Sequence, residues 1–150
     1  MHNIKELKPK IQGRYQQGYI NPESCKKLFE SIDNQTIIYR SSWEKRFIQW
    51  CESCKKVKHW GSECISIQYF LSTDKKQHTY YPDFVVEMED GEVLVIEIKP
   101  SNQVFKPTNK SVYAMNTWIK NCAKWTAIKE VCRNKNYKFC ILTEKTINKL

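Results

Sequence analysis

The sequence contains few residues that break secondary structure, with 4 glycines and 5 prolines among its 150 residues. This composition excludes collagen-like chains and argues against linker-rich or repeat architectures. No apolar run reaches 18 residues and no apolar signal segment opens the sequence, so we expect neither a transmembrane helix nor secretion. The cysteine count is odd, at seven, which fits free thiols in an intracellular protein.

Positive charge and aromatic residues are abundant instead. The chain has 25 Lys and Arg against 16 Asp and Glu, a net charge of +9, and 13% aromatic residues. A basic excess of this size in a small chain favours a polyanionic partner, with nucleic acid ahead of an anionic membrane. The length suits one domain with its own core. We therefore predict a basic N-terminal arm over residues 1–20 and a single domain over 21–150.

The hydrophobic patterns predict an α/β domain with a central sheet flanked by helices. Asn21 and Pro22 suit the start of a short helix. A second helix is predicted from the apolar face that begins at Trp43, and the longest helix has a predicted buried side that begins at Val112. The strands are predicted near 57–60, 64–71, 77–88 and 92–99, in a largely antiparallel meander, with a last strand at 137–142.

The segment YYPDFVVEMEDGEVLVIEIKP, residues 80–100, places charges inside two apolar strands. A three-residue loop, Glu89 to Gly91 with Gly91 left-handed, sets apolar residues opposite apolar ones and pairs Asp83 with Glu97. A two-residue loop would set Asp83 opposite Ile98, on the wrong face. With the three-residue loop, Lys99 projects from the same face as Glu97. The sequence therefore predicts three charged groups at one end of a hairpin.

Two carboxylates on paired positions repel each other unless a cation or a proton lies between them. Mg²⁺ prefers oxygen ligands and keeps several waters, which suits two carboxylates with an open side. A neighbouring lysine can orient an attacking water and stabilise developing negative charge. The alternative is a strand-end salt-bridge cluster in which Lys99 only neutralises Asp83 and Glu97. Burial disfavours that alternative, because Glu97 lies in an otherwise apolar strand.

The motif formed by Pro82-Asp83 and Glu97-Ile98-Lys99 resembles that of the PD-(D/E)XK nuclease superfamily. Together with IIYRSSWEKRFIQWC, VKHWGSECISIQYF, YYPDF and IEIKP, it resembles the small head-completion nucleases of T-even-like tailed phages. More distantly, it is similar to the transposon-end-cutting endonucleases of that superfamily. The resemblance covers roughly residues 13–100.

The resemblance implies a restriction-endonuclease-like core. It makes Asp83, Glu97 and Glu44 the metal ligands, with Lys99 as the catalytic lysine beside these three carboxylates. It implies a Mg²⁺-dependent endodeoxyribonuclease, with Mn²⁺ as a substitute, exonuclease activity in addition, and no nucleotide cofactor. The partners would be double-stranded DNA and phage portal, neck or head-completion proteins, without a membrane. The protein would act in the host cytoplasm during assembly, with association to the virion.

Other residues carry weaker assignments. Glu44 also fits a capping box with Ser41 and Ser42 at the start of its helix. Glu63 and His78 are accessory candidates. Glu63 is equally explained as a solvated strand residue, and His78 is better explained as an exposed histidine of a strand. The DNA-contacting candidates are basic residues, of which the first two lie near the proposed catalytic residues: Arg40, Lys106 and Lys110. Further basic positions that could contact phosphates are Lys5, Lys8, Lys10, Arg14, Lys45, Arg46, Lys120 and Lys124.

Two alternatives remain open from the sequence. Cys51, Cys54 and Cys64 are residue types that bind zinc, but cysteines three apart on a helix commonly just share a buried face. For the whole chain, the competing functions are a non-catalytic head–tail joining or DNA-binding protein with a vestigial acidic cluster, and a transposition or repair endonuclease of the same superfamily. No helix-turn-helix, zinc-finger or RNA-binding signature supports sequence-specific base reading.

Overall fold

The structure, a computed structural model, describes residues 17–29, 37–108 and 111–150. Its α-helices are α1 (Ser42–Ser53), α2 (Val112–Lys135) and α3 (Glu144–Ile147). Its strands are β1 (Gly18–Ile20), β2 (Ile37–Tyr39), β3 (Val57–Ser62), β4 (Ile67–Leu71), β5 (Lys76–Tyr80), β6 (Phe84–Met88), β7 (Val93–Ile98) and β8 (Lys138–Leu142). In the described part of the chain, no helix has the length and apolar character needed to cross a membrane.

A four-stranded sheet in the order β3-β6-β7-β8 forms the centre of the fold. β3, β6 and β7 are antiparallel neighbours, whereas β7 and β8 are parallel. The parallel pair requires a long crossover, and α2 lies in that connection. The predicted α/β class, with a mixed and largely antiparallel sheet flanked by helices, is confirmed.

Alternating side chains of the central strands contribute to two hydrophobic clusters, as the pleat of a strand requires. One cluster joins Phe84 and Ile96 of the sheet to Phe47 of α1 and Ile147 of α3. The rings of Phe47 and Phe84 pack with centroids 4.7 Å apart. The second cluster joins Val95 and its strand neighbours to α2 and the β4–β5 hairpin. The two central strands are therefore covered on both faces, which fixes their register.

The β6–β7 hairpin has the predicted three-residue loop. Phe84 pairs with Ile96 and Val85 with Val95, so the register that places Asp83 opposite Glu97 is the observed one. The Gly91 amide donates to the Met88 carbonyl, 3.0 Å away, and Gly91 has a φ of 91°. A residue with a side chain rarely adopts this backbone conformation, which explains the glycine at the end of the loop.

Replacing Gly91 with alanine should lower the free energy of unfolding by about 1–2 kcal/mol. An added Cβ would have no other atom within 4 Å, so the cost comes from the backbone conformation and not from a clash. The midpoint of urea unfolding, compared with the wild type, measures the effect. An unchanged midpoint would show that the loop readily adopts another conformation.

The single strand predicted over 77–88 is wrong, and so is the continuous meander. The chain leaves β5 at Tyr80 and starts β6 at Phe84, and β5 pairs only with β4 in a separate two-stranded sheet. Pro82 lies in the interruption and has no amide hydrogen for a ladder bond. The break turns Asp83 out of the regular strand at the end of the central sheet.

Two helix predictions also need correction. Over the described residues 21–29, the segment from Asn21 forms only a 3₁₀ turn, Pro22–Ser24, capped by the Asn21 side chain, and the backbone is extended again at Cys25. In α2, Val112 is 75% exposed. The buried residues of α2 are Asn121, Trp125, Ile128 and Cys132. The periodicity predicted the helix, and Ile119 and Val131 of the predicted side pack against the second hydrophobic cluster. The buried side does not begin at Val112, because β4 and β8 cover the middle and C-terminal parts of α2.

The proposed arm over residues 1–20 lies mostly outside the described residues, as do Lys5, Lys8, Lys10 and Arg14. Its last residues, Gly18–Ile20, form β1 and pair antiparallel with β2. A Cβ at Gly18 would clash with the Tyr39 hydroxyl oxygen, so a side chain there would require the Tyr39 ring to move.

Candidate active site

A cleft of about 300 Å³ opens at the end of the central sheet, where β6 begins and β7 ends. Every residue of the predicted catalytic set lines it. The charged and amide side chains around it are Arg40, Glu44, Asp83, Glu97, Lys99 and Gln103. The hairpin and the start of α1 thus bring together residues that are far apart in the sequence.

Asp83 is held at the mouth of the sheet by hydrogen bonds on both its main chain and its side chain. Its carboxylate oxygen Oδ2 accepts from the Ile98 amide at 2.7 Å. Its carbonyl accepts from the Glu63 amide at 3.0 Å. The first bond joins the Asp83 side chain to the main chain of β7 just beyond the Phe84–Ile96 pair, so the hairpin itself orients the Asp83 side chain. Its other carboxylate oxygen, Oδ1, accepts no hydrogen bond from the described residues.

Glu97 is 4% exposed and lies near the end of β7, an inner strand of the sheet, which is unusual for a carboxylate. It accepts a hydrogen bond from the Tyr80 hydroxyl through Oε2. The Lys99 ammonium lies 3.6 Å from its other oxygen, Oε1, and the Lys99 side chain is 24% exposed. The Lys99 amide donates to the Leu142 carbonyl at 2.9 Å, which extends the parallel pairing with β8. Lys99 is therefore fixed at its backbone, and its amine reaches the open side of Glu97.

Glu44 caps α1 and lines the cleft at the same time. Its amide donates to the Ser41 hydroxyl at 3.2 Å, and its Oε2 accepts from the Arg40 amide at 2.5 Å. The predicted capping role is thus present in modified form, because the carboxylate bonds to the residue before the cap and not to Ser41. The capping bond occupies one oxygen, and among the described residues nothing donates to Oε1. Capping and a role in the cleft are compatible.

The three carboxyl groups are all destabilised as anions. Burial, followed by the charge of Asp83, raises the pKa of Glu44 to about 8. Burial raises the pKa of Asp83 to about 6, although the Ile98 amide and Lys99 act in the opposite direction. Burial raises the pKa of Glu97 to about 7 against the opposing charges of Lys99 and Lys124. Burial is therefore the main reason that the anionic forms of these three acids are disfavoured in the cleft.

A divalent cation fits this donor set. Asp83 and Glu44 each keep one oxygen that accepts no hydrogen bond from the described residues, and hard oxygen donors are what Mg²⁺ prefers. A cation would also compensate for the cost of burying these carboxylates as anions, which is the largest cause of their raised pKa values. Across residues 17–29, 37–108 and 111–150, no group of three or more His, Cys, Asp and Glu side chains is already arranged to hold a metal ion. Binding would therefore require side-chain adjustment of the carboxylates.

Arg40 and Glu63 form an ion pair at the rim of the cleft, with 2.9 Å between Arg40 Nε and Glu63 Oε1. Glu63 has a φ of 47°, a left-handed conformation at the residue whose amide bonds to Asp83. The Arg40 side chain is half exposed, so its guanidinium reaches solvent beside the carboxylates. Lys106 is exposed in the segment after β7, and Lys110 lies outside the described residues.

The remaining candidates lie away from the cleft. His78 bonds to Asp74 at 2.6 Å and stacks on Tyr69 within the β4–β5 hairpin. Cys51 and Cys54 pack with the cluster around Phe47, whereas Cys64 packs with the opposite cluster. The His59 ring bonds to Glu87 at 3.3 Å. These positions account for the cysteines and both histidines as packed or hydrogen-bonded residues.

The sequence did not single out two residues that the fold brings next to Glu97. Tyr80 is 5% exposed and donates its hydroxyl to the Glu97 carboxylate. Lys124 of α2 has its ammonium 5.3 Å from the centre of the Tyr80 ring. Burial and the charges of Lys99 and Lys120 lower the pKa of Lys124. A buried tyrosine three residues before Asp83 was a usable signal, whereas the position of Lys124 depends on how α2 packs.

Residues 54–144, more than half of the chain, match the family described as "TnsA-like endonuclease N terminal". The chain belongs to this endonuclease family. Membership in the TnsA-like endonuclease family confirms the predicted nuclease class and the PD-(D/E)XK resemblance. The matched range includes Asp83, Glu97 and Lys99, whereas Glu44 precedes it.

A second similarity extends beyond the TnsA-like endonuclease region. The chain is 34% identical over 128 residues to a protein of Enterobacteria phage T4 named head completion nuclease. The alignment covers 79% of this chain and 85% of that relative. The similarity therefore applies to most of both proteins, and not only to the range shared with the TnsA-like endonuclease family.

Proposed function

We propose that this nuclease hydrolyses DNA phosphodiester bonds at the cleft between β6, β7 and α1, with Asp83, Glu97 and Glu44 as ligands of Mg²⁺ and Lys99 as the catalytic lysine. The observation that carries the proposal is the convergence of these acids and one lysine on a single cleft in a chain of an endonuclease family. When bound, Mg²⁺ supplies a Lewis acid that offsets negative charge on the phosphate. Mn²⁺ has the same ligand preferences and is expected to replace it.

The side chains have separable tasks in this mechanism. The Tyr80 hydroxyl fixes one oxygen of Glu97 and leaves the other toward Lys99 and the cleft. The Lys99 ammonium can donate to a phosphate oxygen or to the attacking water, and it stabilises charge that grows in the transition state. Lys124 adds positive charge on the side of α2. The Ile98 amide holds Asp83 with one carboxylate oxygen directed away from the ladder.

Incubating the purified protein with supercoiled and linear plasmid DNA tests this proposal. Nicked or linearised circles in MgCl₂, and intact circles in EDTA, are expected for a metal-dependent endonuclease. Progressive shortening of the linear DNA would add exonuclease activity. Supercoiled DNA that stays intact with Mg²⁺ and with Mn²⁺, despite tight binding, would favour the alternative of a DNA-binding structural protein.

The biological role that we propose is head completion, in which the nuclease acts on packaged DNA before a filled phage head joins its tail. The similarity to the T4 head completion nuclease over most of both chains supports this role over transposition or repair. In this role the protein would act in the host cytoplasm during assembly, next to portal or neck proteins. Substituting a Lys99→Ala gene for the native one should leave filled heads without tails. Normal virions from that genome would contradict the role.

Arg40 is the DNA contact that the geometry favours, because its half-exposed guanidinium stands at the rim of the cleft. Arg40→Ala should weaken DNA binding about equally for all sequences and reduce the salt dependence of binding by about one phosphate contact. Fluorescence anisotropy at several salt concentrations measures both. Arg133→Ala is a matched control, since Arg133 is 77% exposed near the end of α2 and pairs only weakly with Glu130. Equal salt slopes in the two variants would remove Arg40 from the interface.

A further inference from the structure

A second cavity, of about 220 Å³, lies beside the catalytic cleft. It is formed by the segment that follows β7 and by the first half of α2. The residues that matter for its chemistry are Gln103, Phe105, Tyr113, Trp118 and Asn121. Gln103 lines both this cavity and the catalytic cleft, so the two are neighbours.

Aromatic side chains line this cavity, and two of them are unusually exposed to solvent. Phe105 is 73% exposed and Tyr113 is 83% exposed. Trp118 is held in place by Trp125, which it meets edge-on at 5.9 Å with an interplanar angle of 81°. Rings that pack against little of their own protein are typical of surfaces that bind a flat partner. One fixed and two exposed rings thus surround a space that the fold does not fill.

Asn121 contributes a polar side chain to the lining of the cavity. It is 5% exposed, it lines the cavity, and its amide makes no hydrogen bond with the described residues. The amide atoms are not among the buried polar atoms that lack a partner in the described part of the chain, so they remain accessible to a group that enters the cavity. The amide has both donors and an acceptor, and it can therefore bond to a group that offers both. This side chain points to a ligand with polar edges.

The charge around the cavity is positive. Lys106 and Lys120 are both exposed on the two segments that form it, and Lys124 follows one turn later toward Glu97. A DNA strand whose phosphate occupies the catalytic cleft would have its neighbouring nucleotide at Gln103. A nucleobase has flat faces for the rings and donor and acceptor edges for the Asn121 amide.

We propose that this cavity binds one unpaired nucleobase of the DNA strand being cut, so that the protein prefers DNA with single-stranded overhangs over blunt duplexes. The inference rests on the proposed catalytic cleft, because the strand must pass from one to the other. A paired base is stacked inside the duplex and cannot enter without being extruded. The cavity therefore selects for DNA ends or branches where a base is already free.

The test uses a short duplex with a 2-aminopurine in a single-stranded overhang, since stacking on an aromatic ring quenches its fluorescence. Binding is measured with Ca²⁺ in place of Mg²⁺ to prevent turnover. The wild type should quench the probe and bind the overhang about tenfold more tightly than a blunt duplex. The double variant Phe105→Ala/Tyr113→Ala should lose the quench and the preference. Both side chains are largely exposed, so folding should be preserved.

Matched variants separate stacking from other effects. Tyr113→Phe keeps the ring and should retain the quench, and Phe70→Ala removes a ring that is 52% exposed on β4, outside the cavity, and should change nothing. Asn121→Leu should retain the quench but lower the affinity for the overhang. No quench by the wild type, or an abasic overhang bound as tightly as a normal one, would overturn the inference. Equal losses on blunt and overhanging DNA would point to a general DNA or protein contact and also refute it.

Separate measurements test the base-binding cavity and the catalytic cleft. Quenching is read without turnover, whereas cleavage of the blunt duplex in Mg²⁺ reports on the catalytic cleft alone. The double variant should cleave the blunt duplex within about twofold of the wild type. If the protein quenches the probe but cuts neither DNA, the proposal that the cavity binds a base is supported and the assignment of the cleft as the catalytic site is refuted.

Discussion

Replacing Lys99 with alanine should slow cleavage of supercoiled DNA by roughly 10²–10³-fold at saturating Mg²⁺. The Lys99 ammonium, 3.6 Å from Glu97 Oε1, is the positively charged group next to the buried carboxylate, and its loss removes a donor for the charge of the transition state. The loss should appear in kcat rather than in DNA affinity, because DNA affinity depends on the whole basic surface and not on one lysine inside the cleft. Single-turnover cleavage together with a binding assay separates the two quantities.

Lys138→Ala is the matched control for this prediction. Lys138 lies on the neighbouring strand β8 and pairs with Glu92 at 3.0 Å, outside the cleft. Its loss should leave the rate unchanged. Asp83→Ala and Glu97→Ala should each reduce cleavage at least as strongly as Lys99→Ala, while Glu87→Gln on β6 should not. Cleavage that survives all three replacements in the cleft would show that the site is elsewhere.

Without metal, the protein should lose stability as the pH rises from about 4 to 8. Glu44, Asp83 and Glu97 have pKa values raised to about 8, 6 and 7, so the folded state binds protons more tightly than the unfolded state. Their contribution to stability is complete below the ordinary pKa values near 4 and is lost as the pH passes through the raised values. We expect a loss on the order of 2–4 kcal/mol between pH 5 and pH 8 in EDTA.

Mg²⁺ should reverse this trend, because it binds the carboxylates only when they are deprotonated. Urea unfolding at pH 5 and pH 8, with EDTA or with MgCl₂, measures both effects. Glu44→Gln keeps an acceptor for the Arg40 amide and should flatten the pH dependence in EDTA, whereas Glu87→Gln should not. If the wild type gains stability relative to Glu44→Gln between pH 5 and pH 8 in EDTA, the pKa of Glu44 is not raised in the folded protein.

The hairpin and the motif residues were predictable because their determinants are local. The loop ending at Gly91 fixes the register, and the register alone sets Asp83 opposite Glu97. Ser41 likewise predicted the start of α1. The contribution of Arg40 to the Glu44 hydrogen bond could not be predicted, because it depends on where the chain enters the helix.

The features that the sequence did not predict depend on long-range packing. β4 and β5 pair with each other and not with the central sheet. This pairing depends on how the two strands pack on α2, and not on the alternation of apolar and polar residues along them. Val112 fits the apolar spacing of the helix, but it lies in the first turn of α2, where no strand covers it, and it is therefore exposed. Tyr80 and Lys124 come near Glu97 only after β5 and α2 are both in place. For the same reason, the aromatic cavity has no signature in the order of residues.

The attachment of β8 beside Lys99 has a consequence for the order in which the protein becomes active. The Leu142 carbonyl anchors the Lys99 amide, and the Glu144 carboxylate binds both the amide and the hydroxyl of Ser101 just beyond it. During synthesis the ribosome delivers the motif some forty residues before these anchors. A nascent chain would therefore carry its acids and lysine in an unfinished arrangement. The chain would therefore not cleave DNA until translation had passed the last strand, β8.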